Sequence, residues 1–169
     1  MRYFLIGFMG SGKSYWGKKW GDASGLTFLD LDDEIERSSG QTIRSIFENN
    51  GELTFRKLER KMLQQLFLRD NYILSCGGGT PCFFDNMKKM NQKGVTIYLK
   101  TPADILASRL RQEKETRPLI RDMSDDMLMS FIEQKLGERR HYYSQAFYHF
   151  DTDYLSNENF ERIIRRHGE

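Results

Sequence analysis

The chain has 169 residues, with 26 Lys and Arg against 24 Asp and Glu and a formal net charge of +2. This length fits one compact domain. The mixed charges point to neither a nucleic acid nor a membrane surface as a partner. Hydrophobic residues make up 38% of the chain, which is enough for a core and excludes intrinsic disorder. We therefore expect a single domain over residues 1–169, with a monomer as the default state.

The cysteines and the apolar segments bear on the compartment. Two thiols, Cys76 and Cys82, are too few for a disulfide framework and lack the spacing of a structural zinc site. No run approaches the roughly eighteen apolar residues of a membrane span. The apolar opening at residues 3–9 lacks the cleavage site of a signal peptide. A reduced, cytoplasmic protein is the expectation.

Strands and helices are predicted to alternate along the chain. Short apolar runs rich in β-forming residues predict five strands, at residues 3–6, 26–29, 72–76, 95–99 and 147–150. Helical spacing and capping residues predict helices over 13–23, between 30 and about 68, after Thr101, from about Ser124 to Tyr143, and after Ser156. Such alternation requires crossover connections, so the fold class is α/β with a mostly parallel sheet.

Two of these helices carry local predictions. Trp16 and Trp20 lie four residues apart, a spacing at which aromatic side chains usually pack together in a core rather than stack on a cofactor. Thr101 is expected to cap the helix that follows it, with Pro102 in the first turn and Asp104 favouring the helix dipole.

The motif with the strongest chemical signal is Gly7-Phe8-Met9-Gly10-Ser11-Gly12-Lys13-Ser14, a complete G-x-x-x-x-G-K-[ST] pattern. It follows a predicted strand and opens a predicted helix, which disfavours a glycine-rich turn that matches the pattern by chance. In such a loop backbone N–H groups surround phosphate oxygens, Lys13 reaches the β- and γ-phosphates, and Ser14 supplies an oxygen to Mg²⁺. The sequence therefore predicts a nucleoside triphosphate site.

Three further features have both a functional and a structural interpretation. Asp30 and Asp32 end the second strand, where open α/β sheets bind ligands, but acids there also favour the start of a helix. The triple glycine 77–79 ends the third strand and permits close approach of a ligand, or is a flexible connection. Arg117, in the polar segment 112–122, is either the cation of a closing lid or a solvated side chain.

Taken in chain order, these features form one set, which the residues around Arg56 and Arg139 complete. The set is Gly7–Ser14, Asp30-x-Asp32 followed by Ile35-Glu36, Phe55-Arg56 with Glu59, Gly77-Gly78-Gly79, Arg117-Pro118-Leu119 and Arg139-x-x-x-Tyr143. It resembles the shikimate kinase family, from residue 7 to about 143. The resemblance implies a P-loop kinase fold like that of nucleoside monophosphate kinases: a five-stranded parallel sheet of order 2-3-1-4-5 flanked by helices on both faces. It also implies a mobile lid at about 112–122 and a shikimate-binding region at about 31–60.

The activity that the resemblance implies is transfer of the γ-phosphoryl group of ATP to the 3-hydroxyl of shikimate. The products are shikimate 3-phosphate and ADP, in the pathway to chorismate and aromatic amino acids. Mg²⁺ is the implied cofactor, ATP the co-substrate, and neither a nucleic acid nor a membrane is a partner.

The resemblance also implies roles for individual residues. ATP would be bound by Gly10, Ser11, Gly12, Lys13, Ser14, Tyr15 and Arg117, with the region after Asp151-Thr152 near the adenine. Shikimate would be bound by Asp32, Arg56, Gly78, Gly79 and Arg139. The catalytic residues would be Asp32, Lys13 and Arg117, and the metal ligands Ser14 and, through water, Asp30.

Some positions depart from the family pattern and leave alternatives open. Tyr15 stands where a small Thr is usual, and His141 where a Pro is usual. The same fold could phosphorylate gluconate or a nucleoside monophosphate, or the chain could be a non-catalytic nucleotide-binding relative. An Asp near its reference pKa of about 3.9 is a weak base, so Asp32 is expected to orient the acceptor more than to take its proton.

Overall fold

A single sheet of five parallel strands, in the order β2-β3-β1-β4-β5, organises the protein. The structure, a computed structural model, describes residues 1–117 and 119–167. The strands are β1 (Arg2–Ile6), β2 (Thr27–Asp30), β3 (Tyr72–Ser75), β4 (Val95–Lys100) and β5 (Tyr148–Asp151). The helices are α1 (Lys13–Ser24), α2 (Leu31–Ser39), α3 (Ile43–Leu66), α4 (Asn86–Lys93), α5 (Ala103–Gln112), α6 (Asp125–Tyr143) and α7 (Asn157–His167). The predicted α/β class and strand order are confirmed.

The sheet separates two apolar cores, as alternation along β1 requires. Phe4 and Ile6 belong to the core beneath α2, α3 and α4, whereas Leu5 lies in the opposite core with α1 and α7. Trp20 of α1 is fully buried there and stacks on Phe160 of α7, with ring centroids 4.9 Å apart. Trp20 therefore packs in a core, as predicted. In the described part of the chain, no helix has the length and apolar character needed to span a membrane.

The parallel register brings three strand ends to one edge of the sheet. Ser75 at the end of β3 is aligned with Leu5 of β1 on one side and with Asp30 of β2 on the other. Each strand continues into a loop at that edge, since parallel strands share their direction. The loop from Gly7, the acidic segment from Asp30 and the triple glycine therefore meet there.

The structure differs from prediction at one helix cap and in one additional helix. The N-cap of α5 is Pro102, not Thr101, and no side chain caps this helix. The Thr101 hydroxyl is instead 3.0 Å from that of Thr152, a contact that joins the ends of β4 and β5. The predicted cap is wrong because this contact between strands takes the hydroxyl. Helix α4 was not predicted: it has eight residues, and Met87 and Met90 are its only buried apolar side chains, too few to show a helical period.

Helix α3 is interrupted within its first half. Gly51 has φ 79° and ψ 170°, which breaks the helical backbone between Ile43 and Leu66. The residues after this break include Arg56 and Glu59, both of which are buried. The break therefore sets the direction in which the second half of α3 brings charged side chains toward the sheet edge.

Candidate active site

The loop between β1 and α1 has the backbone geometry of an anion site. Gly10 and Gly12 have φ of 80° and 87°, a backbone conformation that residues with a side chain rarely adopt. Turns of this kind direct successive N–H groups into a concave surface. Helix α1 begins at Lys13, so its positive dipole end faces the loop. The Lys13 ammonium donates to the carbonyls of Gly7 (2.9 Å) and Phe8 (2.8 Å). Burial lowers the pKa of Lys13 to about 8.

Three oxygen-bearing side chains converge beside this loop. The Ser14 hydroxyl donates to Asp30 Oδ2 at 2.9 Å, and Ser75 Oγ lies 3.3 Å from Ser14 Oγ. The other Asp30 oxygen accepts from the Asp32 backbone N–H at 3.1 Å and caps α2. The helix-start interpretation of Asp30 is therefore confirmed, while its other oxygen lies in the cleft lining beside Ser14.

Asp32 is a carboxylate held in an unfavourable environment. Its Oδ1 atom is buried and has no hydrogen-bond partner within residues 1–117 and 119–167. Burial above all, with the charges of Asp30 and Glu59, raises the pKa of Asp32 to about 6. The expected pKa near 3.9 was wrong chiefly because the sequence does not show how deeply Asp32 is buried, and secondarily because α3 brings Glu59 to the same place. Asp32 is thus a better proton acceptor than the sequence indicates.

The triple glycine lies between two arginines. A Cβ on Gly78 would stand 2.9 Å from Nη1 of Arg139, and one on Gly79 only 2.5 Å from Nη2 of Arg56. A side chain at either position would have to displace a guanidinium group, so the glycines let the two arginines approach the loop backbone closely. The structure thus brings Arg56, Arg139 and the triple glycine together, as predicted.

The two arginines have different partners. Arg56 donates to buried Glu59 at 3.1 and 3.3 Å and to exposed Glu52 at 3.2 and 3.4 Å, and it lies 4.1 Å from the ring of Phe83. Arg139 lies 5.2 Å from the centroid of the Phe8 ring. Its buried Nη1 has no hydrogen-bond partner in the part of the chain that the structure describes. This nitrogen is an open donor beside Gly78.

Glu59 belongs to the sequence pattern, which assigns it no role. It is fully buried, and the Thr80 hydroxyl donates to it at 2.5 Å. Thr80 follows the triple glycine, so Glu59 links Arg56 to that loop. Burial raises the pKa of Glu59, while Arg56 opposes the rise.

A cleft of about 620 Å³ lies along the phosphate loop, the two aspartates and the end of β3, next to the arginine pair. Its lining includes residues 9–16 of the loop and α1, Asp30, Asp32, residues 75–78, Arg109, Glu113, Arg117 and Thr152. Arg117 therefore reaches the cleft, where its Nε and Nη2 donate to Glu113 at 2.6 and 2.5 Å. Pro118, the next residue of the quoted motif, lies outside the described residues.

Sequence reasoning missed Arg109 and left Tyr15 uncertain. Arg109 Nη1 donates to the carbonyl of Gly10 at 3.0 Å and lines the cleft. Nothing in the local pattern of α5 separates it from the other arginines of that helix. Tyr15 lines the cleft with 64% of its surface exposed and packs edge-on against Trp16, which lines the cleft as well.

The fold, the phosphate loop and the acidic acceptor side of the cleft define a P-loop phosphotransferase. The likeness extends to a deoxyadenosine kinase from M. mycoides, with a TM-score of 0.60 over 100% of both chains at 14% identity, which is a likeness of fold alone. A family model described as shikimate kinase matches residues 9–167. The chain belongs to the shikimate kinase family.

Curated relatives and solved structures agree with this assignment. The chain is 43% identical to the shikimate kinase of Bacteroides thetaiotaomicron, over 93% of this chain and 90% of that protein. It is 44% identical to that of Phocaeicola vulgatus, over 92% and 89%. A crystal structure of the Bacteroides thetaiotaomicron enzyme matches with a TM-score of 0.91, 40% identity and coverage of 100% and 99%. The Acinetobacter baumannii enzyme in complex with shikimate matches with a TM-score of 0.84 and 31% identity, over 98% and 90%.

The protein is accordingly an enzyme that transfers the γ-phosphoryl group of ATP to shikimate. It forms shikimate 3-phosphate and ADP, in the pathway to chorismate and aromatic amino acids. Family membership thus favours shikimate over the gluconate and nucleoside monophosphate acceptors that the sequence left open.

Proposed function

We propose that ATP lies along the P-loop and that shikimate binds between the triple glycine and Asp32. The observation that carries this proposal is the placement of Arg56 and Arg139 against Gly79 and Gly78. Two guanidinium groups beside a surface without side chains form a pocket for a small carboxylate, because planar guanidinium donors match a carboxylate in two-point contacts.

The two arginines bind the shikimate carboxylate in different ways. Arg139 offers its Nη1 directly, since this atom has no hydrogen-bond partner among the described residues. Arg56 keeps its bond to Glu59, which is fully buried, and exchanges Glu52, whose side chain is 57% exposed, for the substrate. An exposed ion pair is worth about 0–1 kcal/mol, so this exchange is inexpensive. The backbone N–H groups of Gly78 and Gly79 complete the pocket.

Asp32 orients the 3-hydroxyl of shikimate and accepts its proton. In the transfer step the hydroxyl oxygen forms a bond to the γ-phosphorus, and the bond from that phosphorus to the β–γ bridging oxygen breaks. The proton moves to Asp32, whose buried Oδ1 has no other partner among the described residues. A carboxylate with a pKa of about 6 is deprotonated at neutral pH and still accepts a proton as the hydroxyl reacts.

Ser14 and Asp30 fit a magnesium ion. The hydroxyl of Ser14, the carboxylate of Asp30 and the nearby Ser75 hydroxyl are oxygen donors, which Mg²⁺ prefers. Within the described residues no group of three His, Cys, Asp or Glu side chains could hold a metal alone, so the remaining ligands would be phosphate oxygens and water. When bound, the ion neutralises charge on the β- and γ-phosphates.

Lys13 and Arg117 stabilise the phosphoryl group as it transfers. Lys13 is held by two loop carbonyls at the position where the loop surrounds the phosphates. Arg117 stands in the segment between α5 and α6 and exchanges Glu113 for the γ-phosphate when the lid closes. Gly10, Ser11, Gly12 and Tyr15 complete the ATP side of the cleft, and Tyr15, being large and exposed, contacts the nucleotide with its ring edge rather than as a small hydroxyl donor.

The organisation of the chain belongs to the same proposal. We assign one domain to residues 1–169, a lid to about 112–122 and a shikimate-binding region to about 31–60. A cytoplasmic monomer without nucleic-acid or membrane partners is consistent with the mixed charge and the two free thiols Cys76 and Cys82. Light scattering coupled to gel filtration tests the monomer.

ADP release from MgATP tests the assignment. The rate of ADP release by the purified protein is measured without an acceptor, with shikimate, with gluconate and with a panel of nucleoside monophosphates. The phosphorylated product is identified by mass. We expect stimulation by shikimate alone and dependence on added Mg²⁺. Stimulation by another acceptor would reassign the pocket, and ATP binding without acceptor-dependent turnover would point to a non-catalytic relative.

A further inference from the structure

Tyr143 makes a contact that the assigned roles do not use. Its side chain is fully buried at the end of α6, one helical turn after Arg139. Its hydroxyl donates to the backbone carbonyl of Gly78 at 2.6 Å, across 65 residues of sequence. The end of α6 is therefore attached directly to the middle of the triple glycine.

This hydrogen bond fixes the direction of one backbone N–H group. The carbonyl of Gly78 and the N–H of Gly79 belong to the same planar trans peptide unit and point in opposite directions. This unit is the centre of a turn that the Thr80 N–H closes on the Gly77 carbonyl at 3.0 Å. With glycine on both sides the central peptide of such a turn can still rotate, since neither residue has a Cβ to restrict it. Holding the carbonyl therefore aims the Gly79 N–H away from Tyr143.

The flanking parts of the loop are held by other groups. Thr80 donates to Glu59, and the Asn86 amide donates to the carbonyl of Thr80 at 3.0 Å. Neither contact restrains the peptide unit between Gly78 and Gly79. In the described part of the chain no acceptor takes the Gly79 N–H, so this donor is open.

We propose that Tyr143 is a positioning residue that holds the Gly78–Gly79 peptide unit with the Gly79 N–H directed at shikimate. The inference rests on the substrate pocket proposed above. The hydrogen bond from Tyr143 has two effects. It aligns the Gly79 N–H before shikimate binds, and by polarising the peptide unit it makes this N–H a stronger donor. Burial raises the pKa of Tyr143 well above its usual range, although neighbouring Arg139 opposes the rise, so the phenol keeps its proton throughout the working range of pH.

Tyr143→Phe tests the proposal because it removes only the hydroxyl. The ring remains, and so does its packing on Tyr98, whose centroid is 4.9 Å away. A neutral hydrogen bond of this kind corresponds to a factor of about 5–10 in affinity. We expect the KM for shikimate to rise by about that factor while the KM for ATP stays within about twofold. Equal rises in both KM values, or no rise, would overturn the proposal.

Tyr72→Phe is the matched control. Tyr72 is also a buried phenol that donates to a backbone carbonyl, that of Leu66 at 3.0 Å. Its loss should lower the melting temperature as Tyr143→Phe does, but leave both KM values unchanged. A rise in the KM for shikimate in this control would show that general destabilisation explains the effect.

The Arg139→Ala background separates this proposal from the pocket on which it rests. If Arg139→Ala alone leaves the KM for shikimate unchanged, the pocket is wrong. If it raises that KM and Tyr143→Phe adds its own factor, Tyr143 acts through the peptide unit. If the second substitution then adds nothing, Tyr143 acts through Arg139 and the proposal fails.

A measurement on the unmodified protein does not depend on any variant folding. Shikimate should shift the Gly79 amide resonance and slow its hydrogen exchange, because the N–H gains an acceptor. An amide that does not respond at saturating shikimate would contradict the proposal, even with the kinetic effect in place.

Discussion

Replacing Asp32 with asparagine removes a charge that the folded protein disfavours and that the proposed transfer step uses. The pKa of Asp32 rises from 3.8 to about 6, chiefly through burial. Each pKa unit corresponds to about 1.4 kcal/mol, so the ionised carboxylate destabilises the fold by at most about 3 kcal/mol. Because one side of the group faces the open cleft, we expect about 2 kcal/mol to be recovered. For a chain of this size that is a rise in Tm of about 4–8 °C.

The pH dependence distinguishes this cause from improved packing. A folded-state pKa above the unfolded one means that the penalty is fully present above pH about 6 and disappears below the unfolded value of 3.8. The Tm gain of Asp32→Asn should therefore be largest near pH 8, roughly halved at pH 5 and about a fifth as large at pH 4.

Catalysis should move in the opposite direction. Without a proton acceptor, kcat should fall by about 10²-fold or more. Differential scanning calorimetry and ADP release on the same sample measure both effects. Asp33→Asn, an exposed neighbour on the same helix, should change neither by much. A Tm at pH 8 that is unchanged or lower, or a gain at pH 4 as large as that at pH 8, would refute the electrostatic reasoning.

Three further predictions concern the cations. Arg117→Ala should lower kcat by about 10³-fold, whereas Arg121→Ala, on the exposed side of the same segment, should have little effect. Equal kcat values for the two variants would exclude Arg117 from the transfer step. Arg139→Ala should raise the KM for shikimate about 10- to 100-fold by loss of a charged contact, with exposed Arg140→Ala as control; a selective rise in the KM for ATP would contradict the role. Since burial lowers the pKa of Lys13 to about 8, its charge is lost as the pH rises through that value. The ratio kcat/KM for ATP should then decline above pH about 8, and a flat profile to pH 9.5 would exclude Lys13 as the group responsible.

The sequence by itself predicted the phosphate loop and the parallel sheet, while the order of the strands followed from the family resemblance. The P-loop is contiguous from Gly7 to Ser14, and its geometry follows from glycines and a helix start that are local in the chain. The crossover connections likewise require a parallel sheet whatever the detailed packing. Short or weakly patterned features escaped: α4 has too few apolar positions to show a period, and the Thr101 hydroxyl was taken by a strand neighbour.

The acceptor side was decided only by the tertiary structure. The pKa of Asp32 depends first on its burial and then on nearby charges, including Glu59, which is 27 positions away in the chain. The meeting of Arg56 with Gly79, and the bond from Tyr143 to Gly78, depend on how α3 and α6 pack against the sheet edge. Electrostatic and hydrogen-bond energies change over distances of a few ångströms, and packing, not sequence spacing, sets those distances.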